Sequence, residues 1–137
     1  MAANNPTITP EMEVEAKKHQ ELNNEIQDLQ KARQKQLSQL NENTMVKQEL
    51  DLISGDAKVY KKIGPTLVKQ DMQSAKDWVS KRIEFVENRI KAVDKQVEEK
   101  REEAMQVENR VYKMQEEQKA KLQAQAAAAQ KAGEGDE

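Results

Sequence analysis

Residues that could carry out chemistry are few in this chain. His19 is the single histidine among 137 residues, and there is no cysteine. No second histidine or cysteine can therefore complete a catalytic or zinc-binding constellation around it. His19 lies between Lys18 and Gln20, so we expect it on a solvated face of a charged helix.

Carboxylates and glycines do not suggest catalysis either. Residues 98–103 form a run of mixed sign, Glu-Glu-Lys-Arg-Glu-Glu, which is typical of a solvated helix face with pairs spaced four residues apart. Gly64-Pro65 is not a phosphate-binding loop, and no GxxxxGK[ST] pattern occurs. We therefore expect no enzymatic activity, no cofactor and no metal site.

The composition favours long helices over a compact globule. Charged residues make up 35% of the chain and aromatic residues only 3%, a composition typical of coiled coils. The net charge of −2 gives no reason to expect a nucleic-acid partner. No apolar run approaches the roughly 20 residues of a membrane span, and the first residues do not resemble a signal peptide. The expected compartment is the cytoplasm or the nucleus.

Capping residues predict where two long helices begin and end. Thr9 and Pro10 suit a helix start, Gly55 could end that helix in the left-handed conformation, and Asp71 could cap a second helix. The predicted segments are a flexible lead over 1–9, helix 1 over 10–54, a β-hairpin over 55–70, helix 2 over 71–126 and a flexible acidic tail over 127–137.

Apolar residues at heptad spacing predict that the two helices form a coiled coil. In helix 2 only Lys100 interrupts the apolar stripe. The stripe consists of Val79, Ile83, Val86, Ile90, Val93, Val97, Ala104, Val107, Val111 and Met114. In helix 1 the corresponding stripe contains Arg33, Gln36 and Asn43, so we expect a looser middle.

An antiparallel arrangement would place specific residues opposite one another. We expect Leu50 near residues 72–75, Leu22 near residues 101–102, and Met12 near Tyr112. Residues of helix 2 beyond about 115 would then extend past the start of helix 1, because the two arms are of unequal length.

The insert between the helices predicts a β-hairpin. Its side chains are of strand type on both sides of the turn dipeptide Gly64-Pro65. Two short strands are marginal alone in water, and their edges present unpaired backbone groups. Pairing with strands of other subunits is the favoured role, and the alternative is that the hairpin only packs on Trp78 and Phe85. The candidate oligomerisation residues are Val59, Tyr60, Ile63, Gly64, Pro65, Leu67 and Val68.

Three segments around this insert resemble the beta-type subunits of the prefoldin family. They are residues 46–53 (VKQELDLI), 57–65 (AKVYKKIGP) and 67–71 (LVKQD). Beta-type subunits contain one β-hairpin, as this sequence does, and alpha-type subunits contain two. The resemblance implies a mainly α fold, an antiparallel coiled-coil hairpin with one β-hairpin at the turn, whose strands complete a β-barrel between subunits.

The resemblance also implies a function. A beta-type subunit would join alpha-type and beta-type subunits in a hetero-hexamer that acts as an ATP-independent holding chaperone. Its clients would be non-native proteins such as actin and tubulin, which it would transfer to the cytosolic chaperonin. The rival class is a structural coiled-coil tether without chaperone activity, which explains the helices equally well but leaves the hairpin unexplained.

Apolar residues at the free helix ends are candidates for client binding. Exposed apolar surface is a binding site or a liability, and several weak tips acting together would bind with avidity. The same side chains could instead close the last turns of the coiled coil, and both interpretations stay open at this point. The candidate tip residues are Met12, Val14, Ala16, Val107, Val111, Tyr112, Met114 and Leu122.

Overall fold

The computed structural model describes residues 8–134 and contains two helices connected by a β-hairpin. The elements are α1 (Pro10–Leu52), β1 (Val59–Ile63), β2 (Thr66–Gln70) and α2 (Met72–Glu134). The chain divides into two compact units. The hairpin unit comprises Gln27–Val97, and the terminal unit comprises the described residues up to Ile26 and from Glu98 onward. The predicted lead and tail lie outside the described residues at positions 1–7 and 135–137.

Both predicted helix starts are confirmed by capping hydrogen bonds. The side-chain oxygen of Thr9 accepts a hydrogen bond from the backbone N–H of Met12 at 3.2 Å, directly before the first helical residue, Pro10. The carboxylate of Asp71 accepts one from the backbone N–H of Ser74 at 3.2 Å. Each cap satisfies a donor that would otherwise lack a partner at the helix N-terminus.

The end of α1 differs from the prediction. Gly55 does not adopt a positive φ; among the described glycines only Gly64 does. Instead the backbone N–H of Ala57 donates to the carbonyl of Ser54 at 2.9 Å, and the N–H of Asp56 donates to the Ser54 hydroxyl at 3.3 Å. Because Ser54 organises this turn with both its carbonyl and its hydroxyl, the chain leaves α1 without a left-handed residue.

The end of α2 also differs, because the helix continues to Glu134 and does not stop at 126. Residues 126–129 are four consecutive alanines, and alanine has the highest helix propensity of all residues. The first described part of the predicted flexible tail is therefore helical. Side chains of residues 119–134 are exposed throughout.

The predicted heptad stripe of α2 is confirmed, since each of its apolar residues is buried or half-buried. In the hairpin unit, Leu50 packs with Ala75 and Val79. In the terminal unit, Leu22 packs with Ala104 and Val107. Within each unit, the core is thus a narrow seam between α1 and α2.

The register of this seam is displaced from the prediction in the terminal unit. Leu22 packs on Ala104 and Val107 where residues 101–102 were expected, and Met12 shares a groove with Met114 where Tyr112 was expected. The expected pairs assumed a symmetric turn between the helices, but residues 53–58 separate α1 from β1 and Asp71 alone separates β2 from α2.

The hairpin is a two-stranded antiparallel sheet with a defined register. Val59 pairs with Gln70 at its open end, and Ile63 pairs with Thr66 at the turn. Gly64 has φ 60°, a conformation that costs about 1–2 kcal/mol for a residue with a Cβ. Glycine at this position therefore favours the tight reversal.

Candidate functional site

The β-hairpin is the first candidate site, and its register assigns each side chain to one of two faces. Successive residues of a strand point to opposite faces. One face therefore carries the pairs Val59 with Gln70, Lys61 with Val68 and Ile63 with Thr66. The other face carries Tyr60 with Lys69 and Lys62 with Leu67.

The first face is held against the helices only near its open end. Val59 packs against the Leu50, Ala75 and Val79 cluster. The Lys61 ammonium lies 4.8 Å from the centroid of the Trp78 ring. Trp78 and Phe85 both remain about half exposed, so packing on these two rings does not bury the hairpin, contrary to the alternative considered above.

Beyond this anchor the hairpin presents apolar side chains on both faces. Ile63 is 56% exposed on one face, and Leu67 is 65% exposed on the other. Tyr60 and Val68 are also exposed. The sheet of the described residues has two strands, so each strand has one outer edge with backbone donors and acceptors that can pair with another strand.

The terminal unit contains the candidate tip residues, and the structure divides them into two groups. Met12 and Val107 are buried, the latter to 1% exposure, and Val111 and Met114 are half-buried. The exposed group consists of Val14, Ala16, Tyr112 and Leu122.

Met12 and Val107 are buried as the coiled-coil interpretation expects, whereas the exposed group keeps the surface that the client-binding interpretation needs. The helical spacing explains the division. Met12, Glu15, His19 and Leu22 follow spacings of three and four residues, which continue the seam of α1. Val14 and Ala16 lie off this stripe, and both are exposed.

Two shallow grooves border the exposed tip residues. One, of about 380 Å³, is lined by Ala16, Val111 and Tyr112 among others. The other, also about 380 Å³, is lined by Met12, Met114 and Leu122 among others. Both linings combine apolar and polar residues, which suits weak contacts with varied apolar segments.

His19 occupies a different position from the one expected. It is half-buried in the seam of the terminal unit, where its Nε2 lies 2.8 Å from Oε1 of Glu108 and its Nδ1 lies 3.3 Å from the Asn23 side chain. In the sequence, His19 precedes Leu22 by three residues and Ile26 by seven, a spacing that places it on the seam. The charged neighbours Lys17 and Lys18 instead suggested a solvated position.

Polar seam positions are paired across the helices in both units. Lys100, the single break in the α2 stripe, donates a hydrogen bond to Glu25 at 2.7 Å. That hydrogen bond, together with the attraction of the same carboxylate, raises the pKa of Lys100 above its usual 10.5. In the hairpin unit, Arg33 contacts Asp94 at 2.6 Å.

The described residues contain neither a metal-binding cluster nor a helix that could span a membrane. Within 8–134, no group of three or more His, Cys, Asp or Glu side chains could hold a metal ion. No helix in this range combines the length and apolarity needed to cross a membrane.

Comparisons with known proteins agree with this architecture. Residues 13–118 match Prefoldin_2, a family of prefoldin subunits. A probable prefoldin subunit 6 of Caenorhabditis briggsae is 42% identical over 73% of this chain and 79% of its own length. Prefoldin subunit 6 of Bos taurus is 33% identical over 80% of this chain and 85% of its own length.

A solved structure shares the fold. The prefoldin beta subunit from Thermococcus strain KS-1 superimposes with a TM-score of 0.76, covering 80% of this chain and 96% of that subunit at 22% identity. Two long helices with one antiparallel β-hairpin define the class of prefoldin beta-type subunits. The chain belongs to the prefoldin subunit family.

Family membership establishes the general role. Prefoldin subunits are non-enzymatic components of a chaperone. They assemble into hexameric complexes with other prefoldin subunits.

Proposed function

We propose that this chain is a beta-type subunit of a cytoplasmic, and also nuclear, hetero-hexamer that holds non-native proteins without ATP. Clients such as actin and tubulin bind at the exposed tip residues of the terminal unit and pass to the cytosolic chaperonin. The hairpin joins strands of alpha-type and beta-type neighbours in a shared β-barrel. The observation that carries the proposal is apolar exposure at the end of the seam, where Tyr112 remains 63% exposed.

The hairpin supports the assembly part of the proposal. A sheet of two five-residue strands is marginal by itself, yet Ile63, Leu67 and Val68 face solvent in the single chain. Strand addition from a neighbour would pair the open edges and cover these side chains together.

The terminal unit supports the client-binding part. The last half-buried residue of α2 is Gln118, and the helix continues to Glu134 with every later side chain exposed. Val14 and Leu122 add apolar surface on the two helices. Each tip offers little area, so binding would gain its strength from several tips contacting one client.

The test replaces the exposed tip residues and leaves the seam intact. A Val14→Ser, Tyr112→Ser, Leu122→Ser variant should assemble normally but need roughly twofold to fivefold more hexamer to suppress aggregation of denatured actin. A modest effect is expected because avidity from the other tips remains. Light scattering during dilution of denatured actin measures suppression, and the yield of native actin after adding the chaperonin measures transfer.

A matched control carries three serines at exposed lysines of the same unit. Lys17→Ser, Lys113→Ser and Lys119→Ser alter residues that are exposed and polar. This control should suppress aggregation as the native chain does. Equal suppression by the tip variant would rule out tip binding and favour a tether role for this subunit.

A further inference from the structure

A stripe of cationic and aromatic side chains runs along one flank of α2 in the hairpin unit. Trp78, Arg82, Phe85 and Arg89 are separated by four, three and four residues, so they lie on one face of the helix. The guanidinium carbons of Arg82 and Arg89 lie 5.5 Å and 5.4 Å from the centroid of the Phe85 ring. With Lys61, whose ammonium lies over Trp78, these residues form the cation–aromatic stripe.

The stripe borders the seam but is not part of it. Each of its four helical members directly precedes a buried or half-buried seam residue of α2. Trp78 and Phe85 are 48% and 49% exposed, although the seam beside them is closed. Packing between the two helices therefore leaves half of each aromatic ring uncovered.

Interhelical ion pairs of this unit lie on the other flank. Lys76 contacts Asp51, and Asp94 contacts Arg33. Lys76 and Asp94 are about five helical turns apart and so share a face, which at about 100° per residue lies across the seam from the stripe. The two charged flanks of α2 are thus not equivalent.

The stripe itself lacks acidic counterparts. None of its three cations has a carboxylate within ion-pair distance among the described residues. By helical spacing, no Asp or Glu falls on this flank between residues 74 and 96. The positions on the flank are Ser74, Trp78, Lys81, Arg82, Phe85, Arg89, Ala92 and Gln96.

This arrangement fits an acidic partner with some apolar surface. An arginine stacked on an aromatic ring keeps its N–H donors free for a carboxylate. Aromatic residues and arginine are also the types that contribute most binding energy at protein interfaces. Three of the chain's four aromatic residues, Tyr60, Trp78 and Phe85, lie in the hairpin unit.

We propose that the cation–aromatic stripe binds an acidic segment of a neighbouring prefoldin subunit within the hexamer. The inference rests on the proposed role of the hairpin in assembly. Lys61 belongs to β1 and contacts Trp78 directly, so the stripe is continuous with the hairpin. A subunit paired with the hairpin would therefore lie beside the stripe, and contact there would set its orientation as well as its affinity.

Charge reversal tests the proposal in the reconstituted hexamer. Arg82→Glu with Arg89→Glu should raise the subunit concentration needed for half-maximal assembly at least tenfold, as measured by native mass spectrometry over a dilution series. Assembly of the native hexamer should weaken with added salt, and assembly of the variant should depend on salt less. Phe85→Ala should give a smaller shift in the same direction.

The matched control reverses two cations outside the stripe. Lys91 and Lys95 are exposed on the outer face of the same helix. Lys91→Glu with Lys95→Glu makes the same change in net charge and should assemble as the native chain does. An equal loss in this control would show a nonspecific charge effect and overturn the proposal.

Cross-linking identifies the occupant. A photoreactive benzoylphenylalanine in place of Phe85 should cross-link to a neighbouring subunit in a peptide that contains Asp or Glu. Cross-links to denatured actin alone, protection of the site by a single-stranded RNA oligonucleotide, or no cross-link in the intact hexamer would each refute the proposal.

A hairpin variant separates this inference from the proposed function. Ile63→Asp should abolish assembly, and assembly despite that change would refute the hairpin role itself. Loss of assembly with Ile63→Asp but unchanged assembly with Arg82→Glu and Arg89→Glu would refute only the stripe.

Discussion

The hairpin unit and the terminal unit use the same two helices but close their seams differently. In the hairpin unit, Leu50, Ala75 and Val79 form a compact apolar cluster that Val59 extends into the sheet. In the terminal unit, the same three residue types form the buried cluster of Leu22, Ala104 and Val107, and the partly buried Val111 of α2 packs against it. There, hydrogen-bonded polar pairs occupy the seam positions of His19 and Lys100.

The difference concerns where apolar residues remain uncovered. The hairpin unit exposes apolar side chains on an ordered sheet with free edges, a surface that can specify a partner through backbone pairing. The terminal unit exposes them singly on helix faces, where no backbone group is available to set a register. The first surface suits stable assembly with defined subunits, and the second suits weak contact with many sequences.

The largest expected effect is on assembly. Ile63→Asp places a carboxylate on the exposed apolar face of the hairpin, where a paired neighbour would bury it without a partner. Hexamer formation should be lost while far-UV circular dichroism stays nearly unchanged, because Ile63 does not contact the helical seam. Lys58→Asp, an exposed change just before β1, serves as the control and should leave the hexamer intact.

A second experiment compares the stability of the two units by truncating one equally buried valine in each. Val86 and Val107 are both 1% exposed, one in each unit. Val86→Ala and Val107→Ala should each lower the free energy of unfolding by about 2 kcal/mol through lost apolar contacts and a small cavity. Hydrogen exchange should accelerate mainly in the unit that carries the substitution.

The pattern of hydrogen exchange shows whether the two units unfold independently of each other. Uniform acceleration along α1 and α2 from either variant would contradict that separation. Exposed substitutions Glu87→Ala and Gln106→Ala, which lie next to these valines, would reveal any effect of alanine propensity alone.

The smallest expected effect comes from completing the apolar stripe of α2. Lys100→Leu should raise the melting temperature by a few degrees. A polar residue in a coiled-coil seam helps to fix the register of the two helices, but it lowers their stability. The raised pKa of Lys100 means that its pairing with Glu25 stabilises the fold at neutral pH. That contribution is lost only as the pH rises through the folded-state pKa, above 10.5.

Comparing melting temperatures at neutral and strongly alkaline pH checks the assignment. The native chain should lose stability at high pH relative to the Lys100→Leu variant. A Lys100→Leu variant that melts below the native chain at neutral pH would indicate that the Glu25 contact outweighs the apolar gain.

Local signals predicted the elements of this fold because each depends on neighbouring residues. Thr9 and Asp71 cap helices through hydrogen bonds that span three residues. Gly64 supplies the turn conformation, and the strand-type side chains of Val59, Tyr60 and Ile63 favour the strand. The predicted end of α2 was wrong because the alanine-rich segment after Leu122 contains no residue that stops a helix before Gly133.

The candidate sites were predicted less completely. Composition and spacing identified the tip residues as apolar, but the assignment of Met12 to the seam and Val14 to the surface follows from the register of α1 on α2. The polar partner of His19 is 89 residues away along the chain, and no local pattern encodes such a pairing.

By itself the sequence determined two capped helices, a heptad stripe on α2, one β-hairpin and the absence of a second histidine or any thiol for catalysis. Each of these depends on residue type and short-range spacing. Tertiary structure alone decided which apolar residues are covered, which cations find carboxylates and which flank of α2 carries the unpaired stripe. These features depend on how α1 and α2 pair within each unit, and that pairing joins residues far apart in the chain, as His19 and Glu108 are.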